Sequence, residues 1–251
     1  MMYTIKKIKL LYFLSRRIIK FGIVDLVYGI SHRKVAYEAM IWQNLIPIEC
    51  DTIIDVGANI GDVSAALDFL FHPSLIIAIE PNPNVIPHLL NRFKEKKNVE
   101  IIDKALSSYT GKTNFYKHEF TAASSIYKIE NDYLKKLGLS EANTSTEVDS
   151  ITLDEVLSQQ NISSIDLLKL DCQGSELEIL KGGEKSLSFI KIIHTEVLFK
   201  PMYENAPAFW NIHEFLINKG FELRQIHSFS GLGKAIHWAD AIYFNTAYQN
   251  T

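Results

Sequence analysis

Only two cysteines, Cys50 and Cys172, occur among 251 residues. They lie far apart and match no metal-binding or redox spacing, so a disulfide framework is excluded and a reducing, cytoplasmic setting is expected. Basic surplus is missing as well: 26 Lys and Arg against 29 Asp and Glu leave a net charge of −3. A phosphate backbone is gripped by a basic face that releases counterions, so nucleic acid is not an expected partner. Long apolar runs are also lacking. Near the N-terminus the uninterrupted stretch Leu10 to Leu14 is too short for a membrane span or a signal-peptide core, and no small-residue cleavage site follows it. What is present is ordinary for a globular chain, with 47% hydrophobic and 22% charged residues. The length suits one large α/β domain with a buried core.

Acid is absent from the first 24 residues, where Lys6, Lys7, Lys9, Arg16, Arg17 and Lys20 alternate with Ile5, Ile8, Leu11, Phe13, Leu14, Ile18 and Ile19. Residues 1–50 are therefore read as a basic amphipathic helical extension. Residues 1–20 have two readings: a helix lying on an anionic membrane surface at the inner face, or one packing its apolar side on the domain or a second subunit. Packing is the simpler of the two.

From residue 51 onward, short β-rich apolar runs alternate with helical stretches, the pattern of a parallel sheet covered on both faces. Strands are expected at Thr52–Val56, Leu75–Glu80, Val99–Ile102, Ile165–Leu170, Lys191–Val197, Phe221–Ile226 and Ala239–Phe244. Helices are expected at Asp62–Phe71, Asn84–Lys96, Glu176–Lys181 and Ala208–Lys219. The fold class is α/β: a Rossmann-like, seven-stranded, mostly parallel sheet in a domain spanning 51–251, closed by an antiparallel hairpin turning near Ser230–Gly233. An insertion at about 107–150 breaks the rhythm, with a small hairpin expected around Gly111 and a polar segment at Ser140–Ser145. Its length makes it a candidate lid over a substrate.

The segment Asp55-Val56-Gly57-Ala58-Asn59-Ile60-Gly61-Asp62 sits where the first strand turns into its helix. Its glycines let a backbone approach a ligand, but the G-x-G-x-x-G spacing of a nicotinamide-binding turn is missing. Acidic Asp55 and Asp62 at its ends suit a ligand bearing an amine and a sulfonium better than a diphosphate. Glu80, closing the second strand, is placed to accept both hydroxyls of a ribose, and Asp103, after the third, to accept from an adenine amino group. The cofactor-binding set is thus Asp55, Gly57, Asn59, Gly61, Glu80 and Asp103.

At the fourth strand of the βα series, Asp171 and the turn Cys172-Gln173-Gly174 should face the reacting group. Glu176 opens the next helix, where the dipole stabilises an acid whatever its role. His194 and Glu196 share one face of the following strand. Glu196, nearest that strand's tip, is the first choice as the base, ahead of Asp171 and His194. A divalent metal on Asp171, His194 and Glu196 is conceivable but selected by no spacing motif, so no metal is assigned. Gly111-Lys112-Thr113 lacks the earlier glycine of a phosphate-binding loop and is read as a turn. The run after Asp171 is not the Asn-Pro-Pro-aromatic type that holds a flipped base.

Over about residues 51–245 the chain resembles the FkbM-type methyltransferases, within the seven-stranded class of S-adenosylmethionine enzymes. The resemblance lies in Asp55-Val56-Gly57-Ala58-Asn59-Ile60-Gly61, Glu80-Pro81-Asn82, Ala105-Leu106-Ser107, and Asp166 to Asp171 followed by Gly174 and Glu176. Where the family usually carries Val-Glu, this chain has Cys172-Gln173. The resemblance implies O-methylation, often of a hydroxyl on a sugar, glycan, glycolipid or natural product, and cofactor roles for Gly57, Gly61 and Glu80. Two rivals are weighed: a nicotinamide-dependent oxidoreductase, and a non-catalytic membrane-surface scaffold with a vestigial cofactor fold.

Overall fold

The computed structural model describes residues 38, 41, 42, 44–46, 49–119, 121–137, 144–200, 202–231 and 234–248. The basic segment 1–20, most of the polar segment after Ser140 and part of the 230–233 turn lie outside the described residues.

Ten strands and six helices of the α type follow in the order β1 (Thr52–Val56), α1 (Asp62–Phe71), β2 (Leu75–Ile79), α2 (Ile86–Phe93), β3 (Val99–Ile102), β4 (Ala105–Leu106), β5 (Gly111–Lys117), α3 (Asn131–Leu137), β6 (Thr144–Ile151), α4 (Leu153–Gln159), β7 (Ile165–Leu170), α5 (Glu176–Gly182), β8 (Ile190–Leu198), α6 (Phe209–Asn218), β9 (Phe221–Ser230) and β10 (Trp238–Asn245), counted among the described residues. The main sheet runs β3-β2-β1-β7-β8-β10-β9. Its first five strands are parallel, and β10 is antiparallel to both β8 and β9. Strand order reverses between β1 and β7, the switch point outside which open α/β sheets bind ligands.

Strands buried on both faces read as nearly continuous apolar runs, and β7 is buried along its whole length. One face carries Ile53, Leu167, Ile192 and Ile242 against Ala65, Ala66 and Leu67 of α1 and the fully buried Trp42. The other carries Ile54, Leu168 and Ile193 against Val156 of α4, Leu180 of α5 and Leu216 of α6. Among the described residues, no helix is long and apolar enough to cross a membrane.

Two local expectations change. Helix α2 starts later than Asn84, because the Asn82 side chain accepts the Asn84 N–H at 3.1 Å and closes a turn first. The small hairpin expected around Gly111 is not formed. β4 and β5 do not pair with each other but flank β6, which returns from far along the chain: Ala105 and Gly111 both lie opposite Ser150, the first in a parallel and the second in an antiparallel pairing. Lys112, in the run that ends like a phosphate loop, lies in this three-stranded sheet and pairs with Asp149 at 2.7 Å. Helix α4 was missed although its start is legible. Thr152 caps it by accepting the Glu155 N–H at 3.1 Å, the Thr-x-x-Glu spacing of a helix N-terminus.

Candidate active site

A cleft of about 510 Å³, its open mouth included, lies at the switch point. Gly57, Asn59 and Glu80 form one wall and Asp171 to Gln173 the other, while Phe115, Thr121 and Ser125 bring the insertion over it. The segment between β3 and β7 thus contributes to the cleft lining.

The wall at β1 and β2 is built from backbone held by one acid. After β1 the chain passes through Gly57 at φ +80°, Asn59 at +49° and Gly61 at +85°, a left-handed series open to glycine and tolerated by asparagine. Gly57 and Ala58 donate their N–H groups to the Ile79 carbonyl, at 2.9 and 3.1 Å. Gly61 is not among the cleft-lining residues, and a Cβ there would meet the Phe93 ring at 2.5 Å, so tight packing requires the glycine. Glu80 ties the two loops together: one carboxylate oxygen accepts the Asn59 N–H and the other the Asn82 N–H, both at 2.8 Å.

The wall at β7 has a matching clamp. Glu176 turns its carboxylate back from α5 to accept the N–H groups of Cys172, at 2.8 Å, and Gly174, at 3.0 Å. Sequence reasoning assigned this acid no more than a helix-dipole role. Asp171, with 24% of its side chain exposed, lines the cleft and has Lys169 Nζ 3.4 Å from Oδ2. Gln173 donates through Nε2 to Asp171 Oδ1 at 2.8 Å and to Glu196 Oε2 at 3.0 Å. Glu196 itself is buried at 4% exposure and is not among the lining residues. Of the two acids, therefore, Asp171 is the one open to a substrate.

Burial dominates the electrostatics. The fully buried Asp55 carboxyl is pushed up by desolvation, which the hydrogen bond from Ser64 Oγ at 2.5 Å and the charge of Lys169 only partly offset. Desolvation also pushes Glu80 and Glu176 up to about 7 despite the backbone N–H groups they accept. Both bind their protons more tightly in the folded chain than in the unfolded one, so their contribution to stability is complete below about pH 4.5 and is lost as the pH rises through about 7. The melting temperature of the ligand-free protein should fall across that window, and Glu176→Gln should flatten the slope. A wild-type slope in that variant would mean that other groups set it.

The remaining expected residues sit elsewhere. Asp62 pairs with Arg92 at 2.6 Å, and the same guanidinium nitrogen holds the Ile60 carbonyl at 2.7 Å, so this acid braces the loop from outside. Asp103 is exposed and absent from the cleft lining, where the chain contributes Lys104, Ala105 and Leu106 instead. His194 is fully buried and accepts the Trp42 indole N–H on Nδ1 at 3.0 Å. It does not converge with Asp171 and Glu196. Among the described residues, the acids and histidines that approach within metal-binding range are His194, His227 and Asp240, whose ligand atoms lie within 4.8 Å of one another. Indole is a donor only, so His194 Nδ1 must offer its lone pair and the neutral ring carries its hydrogen on Nε2. That nitrogen, 4.0 Å from Asp240 Oδ1, has no lone pair for a cation. No metal is therefore assigned to the trio.

Residues 55–223 match the model of the Methyltransferase FkbM domain. The chain is similar to the 2-O-methyltransferase NoeI of Sinorhizobium fredii, 24% identical over 159 residues that cover 61% of this chain and 65% of that protein. It is also similar to the hexuronic acid methyltransferase AglP of Haloferax volcanii, 26% identical over 150 residues covering 59% of this chain and 56% of that one. The aligned segment therefore spans less than two thirds of either relative. Among solved structures, TrmK of M. capricolum in complex with S-adenosyl-homocysteine superposes with a TM-score of 0.49 at 12% identity, covering 86% of this chain and 70% of that chain. The family match runs from Asp55 in the β1 turn to Leu223 in β9, well over half of the sequence, and includes both walls of the cleft. The chain belongs to the FkbM methyltransferase family.

Proposed function

We propose that this protein is an S-adenosylmethionine-dependent O-methyltransferase acting on a hydroxyl of a sugar or a related small molecule. The observation that carries the reading is Glu80. A carboxylate offers about four acceptor sites, and the two backbone N–H groups on Glu80 occupy one on each oxygen. One site per oxygen remains at the cleft wall, which suits the paired hydroxyls of a ribose. The rest of the floor fits a cation: Asp55, Glu80 and Asp171 surround the β1 and β7 tips, and Asp171 and Glu80 face the cleft.

When bound, the cofactor supplies a methyl group on a positively charged sulfur, ready for in-line displacement. The chain's own task is to align an acceptor oxygen and take its proton. Asp171 is the proposed base, because it lines the cleft while Glu196 lies behind it and His194 turns to Trp42. The insertion, through Phe115 and Ser125, would exclude water from the reacting centre. The names of the relatives, one a 2-O-methyltransferase and one a hexuronic acid methyltransferase, favour a carbohydrate acceptor.

The test is incubation of the full chain with methyl-labelled S-adenosylmethionine and a panel of free sugars, hexuronic acids, glycolipids and transfer RNA, followed by mass analysis. A labelled methyl ether on a carbohydrate hydroxyl is the expected product. Label on RNA, or on no carbohydrate, would count against the reading.

A further inference from the structure

We propose that Gln173 is a positioning residue whose amide ties Asp171 and Glu196 into one unit, keeping two carboxylates ionised side by side at the acceptor wall of the cleft. Its bonds fix its orientation. Nε2 donates to Asp171 Oδ1 and Glu196 Oε2 at 2.8 and 3.0 Å, and Oε1 accepts the Tyr203 hydroxyl at 2.7 Å. A flipped amide would turn its oxygen toward two groups that only accept when ionised, so the amide nitrogen faces the acids. The backbone shows the same commitment. Gln173 holds φ at +56°, a left-handed conformation that a non-glycine residue adopts only at a cost. Ser125 of the insertion fastens it there by donating to the Gln173 carbonyl at 2.9 Å. Strain kept at a cleft wall, with every side-chain polar atom of the residue engaged, marks a residue selected for where it holds its neighbours.

The chemical consequence follows from like charges at short range. Two carboxylates within hydrogen-bond reach of one nitrogen repel each other, which disfavours ionising both, and a protonated member can no longer take a proton from a hydroxyl. An NH₂ group with one hydrogen for each acid offsets that repulsion. Glutamate at position 173 has the same shape but no hydrogen to give, and would add a third acid. Other charged or titratable groups facing the unit are Lys169 and Cys172 at the end of β7, Asp55 on β1, Glu176 on α5, Tyr203, and Asp240 opposite Glu196 on β10. These are the groups among the described residues, and the amide is the one seen to donate to both acids. The catalytic meaning of the unit rests on the proposed role of Asp171 as base, whereas its electrostatic part stands apart from that role.

The experiment is a pH titration, by carbon NMR, of the full chain carrying labelled Asp and Glu side-chain carboxyls, with Asp171→Asn and Glu196→Gln assigning the two signals. In Gln173→Glu, and more mildly in Tyr203→Phe, which frees the amide without touching either acid, one of the two signals should titrate at higher pH than in the wild type. The shift in Gln173→Glu should be about one unit or more, as expected for carboxylates made to share a site. Wild-type titration of both signals in folded Gln173→Glu and Tyr203→Phe would overturn the proposal. Turnover on the acceptor found with the labelled panel separates the two ideas. If the carboxyl signals shift and the acid limb of kcat moves alkaline with them, both hold. If the signals shift and the limb stays, Gln173 positions the acids but Asp171 is not the base.

Discussion

Asp171→Asn should lower kcat by about 10²- to 10⁴-fold, the usual loss when a positioned base is removed, while leaving S-adenosylmethionine affinity within a few-fold of wild type. Asparagine keeps the size of the side chain and the backbone contacts of the strand tip, including the Asp171 N–H donated to the Val56 carbonyl at 3.1 Å. What it loses is the ability to take a proton. Glu196→Gln should cost less, because Glu196 is buried at 4% exposure and meets the cleft through Gln173. A purely structural Asp171, serving only to neutralise the buried Lys169 at 3.4 Å, predicts the opposite signature: a lower melting temperature in Asp171→Asn with turnover nearly unchanged. Both quantities measured on one preparation decide between them.

Gly57→Ala should cost about 2–5 kcal/mol of stability, the sum of left-handed strain and forced backbone displacement. For a chain of this size that is a fall of roughly 5–15 °C in melting temperature. The glycine sits at φ +80°, and an added Cβ would lie 2.0 Å from the Asp171 carbonyl oxygen and 2.9 Å from its carbon. Neither strand tip can retreat cheaply. Gly57 is held to Ile79 and Asp171 to Val56 by backbone hydrogen bonds of 2.9 and 3.1 Å, so displacing one pulls on β2 and the other on β1. The two walls of the cleft meet at this contact, and cofactor binding should be lost with it. A melting curve and a calorimetric titration check both effects. A variant as stable as the wild type would mean that the β1 and β7 tips do not approach as described.

The main sheet was legible because its inner strands are buried on both faces and read as apolar runs with clear turns between them. β1, β3 and β7 and the whole of α1 fall where the sequence places them. Glu80 was legible for a related reason: an acid directly after a buried strand and before Pro81 must sit at the sheet edge. The insertion was harder, since β5 pairs with β6 across a long stretch of chain and nothing local announces that pairing. Asp103 shows the limit of arguing from strand ends alone. A residue one step beyond a strand can turn outward, and here the lining passes to Lys104 and Ala105. Choosing Glu196 ahead of Asp171 as base rested on its strand ending beyond the transferred methyl group, with Asp171 nearer the cofactor, whereas the degree of burial, which sequence does not give, favours Asp171. Gln173 was legible as part of the turn facing the reacting group and as a departure from the family pattern, but its contacts were not. Lys169 carried a readable signal, because a lysine inside the run Asp166-Leu167-Leu168-Lys169-Leu170 can be buried at 0% exposure only beside an acid.

The most direct test of the cleft's assignment is calorimetric titration of the wild-type chain and Glu80→Ala with S-adenosylmethionine, and of the wild type with a nicotinamide dinucleotide. One S-adenosylmethionine should bind per chain, Glu80→Ala should weaken it by about 1–3 kcal/mol, and the dinucleotide should not bind. Unchanged affinity in a folded Glu80→Ala variant, or binding of the dinucleotide in place of S-adenosylmethionine, would contradict it.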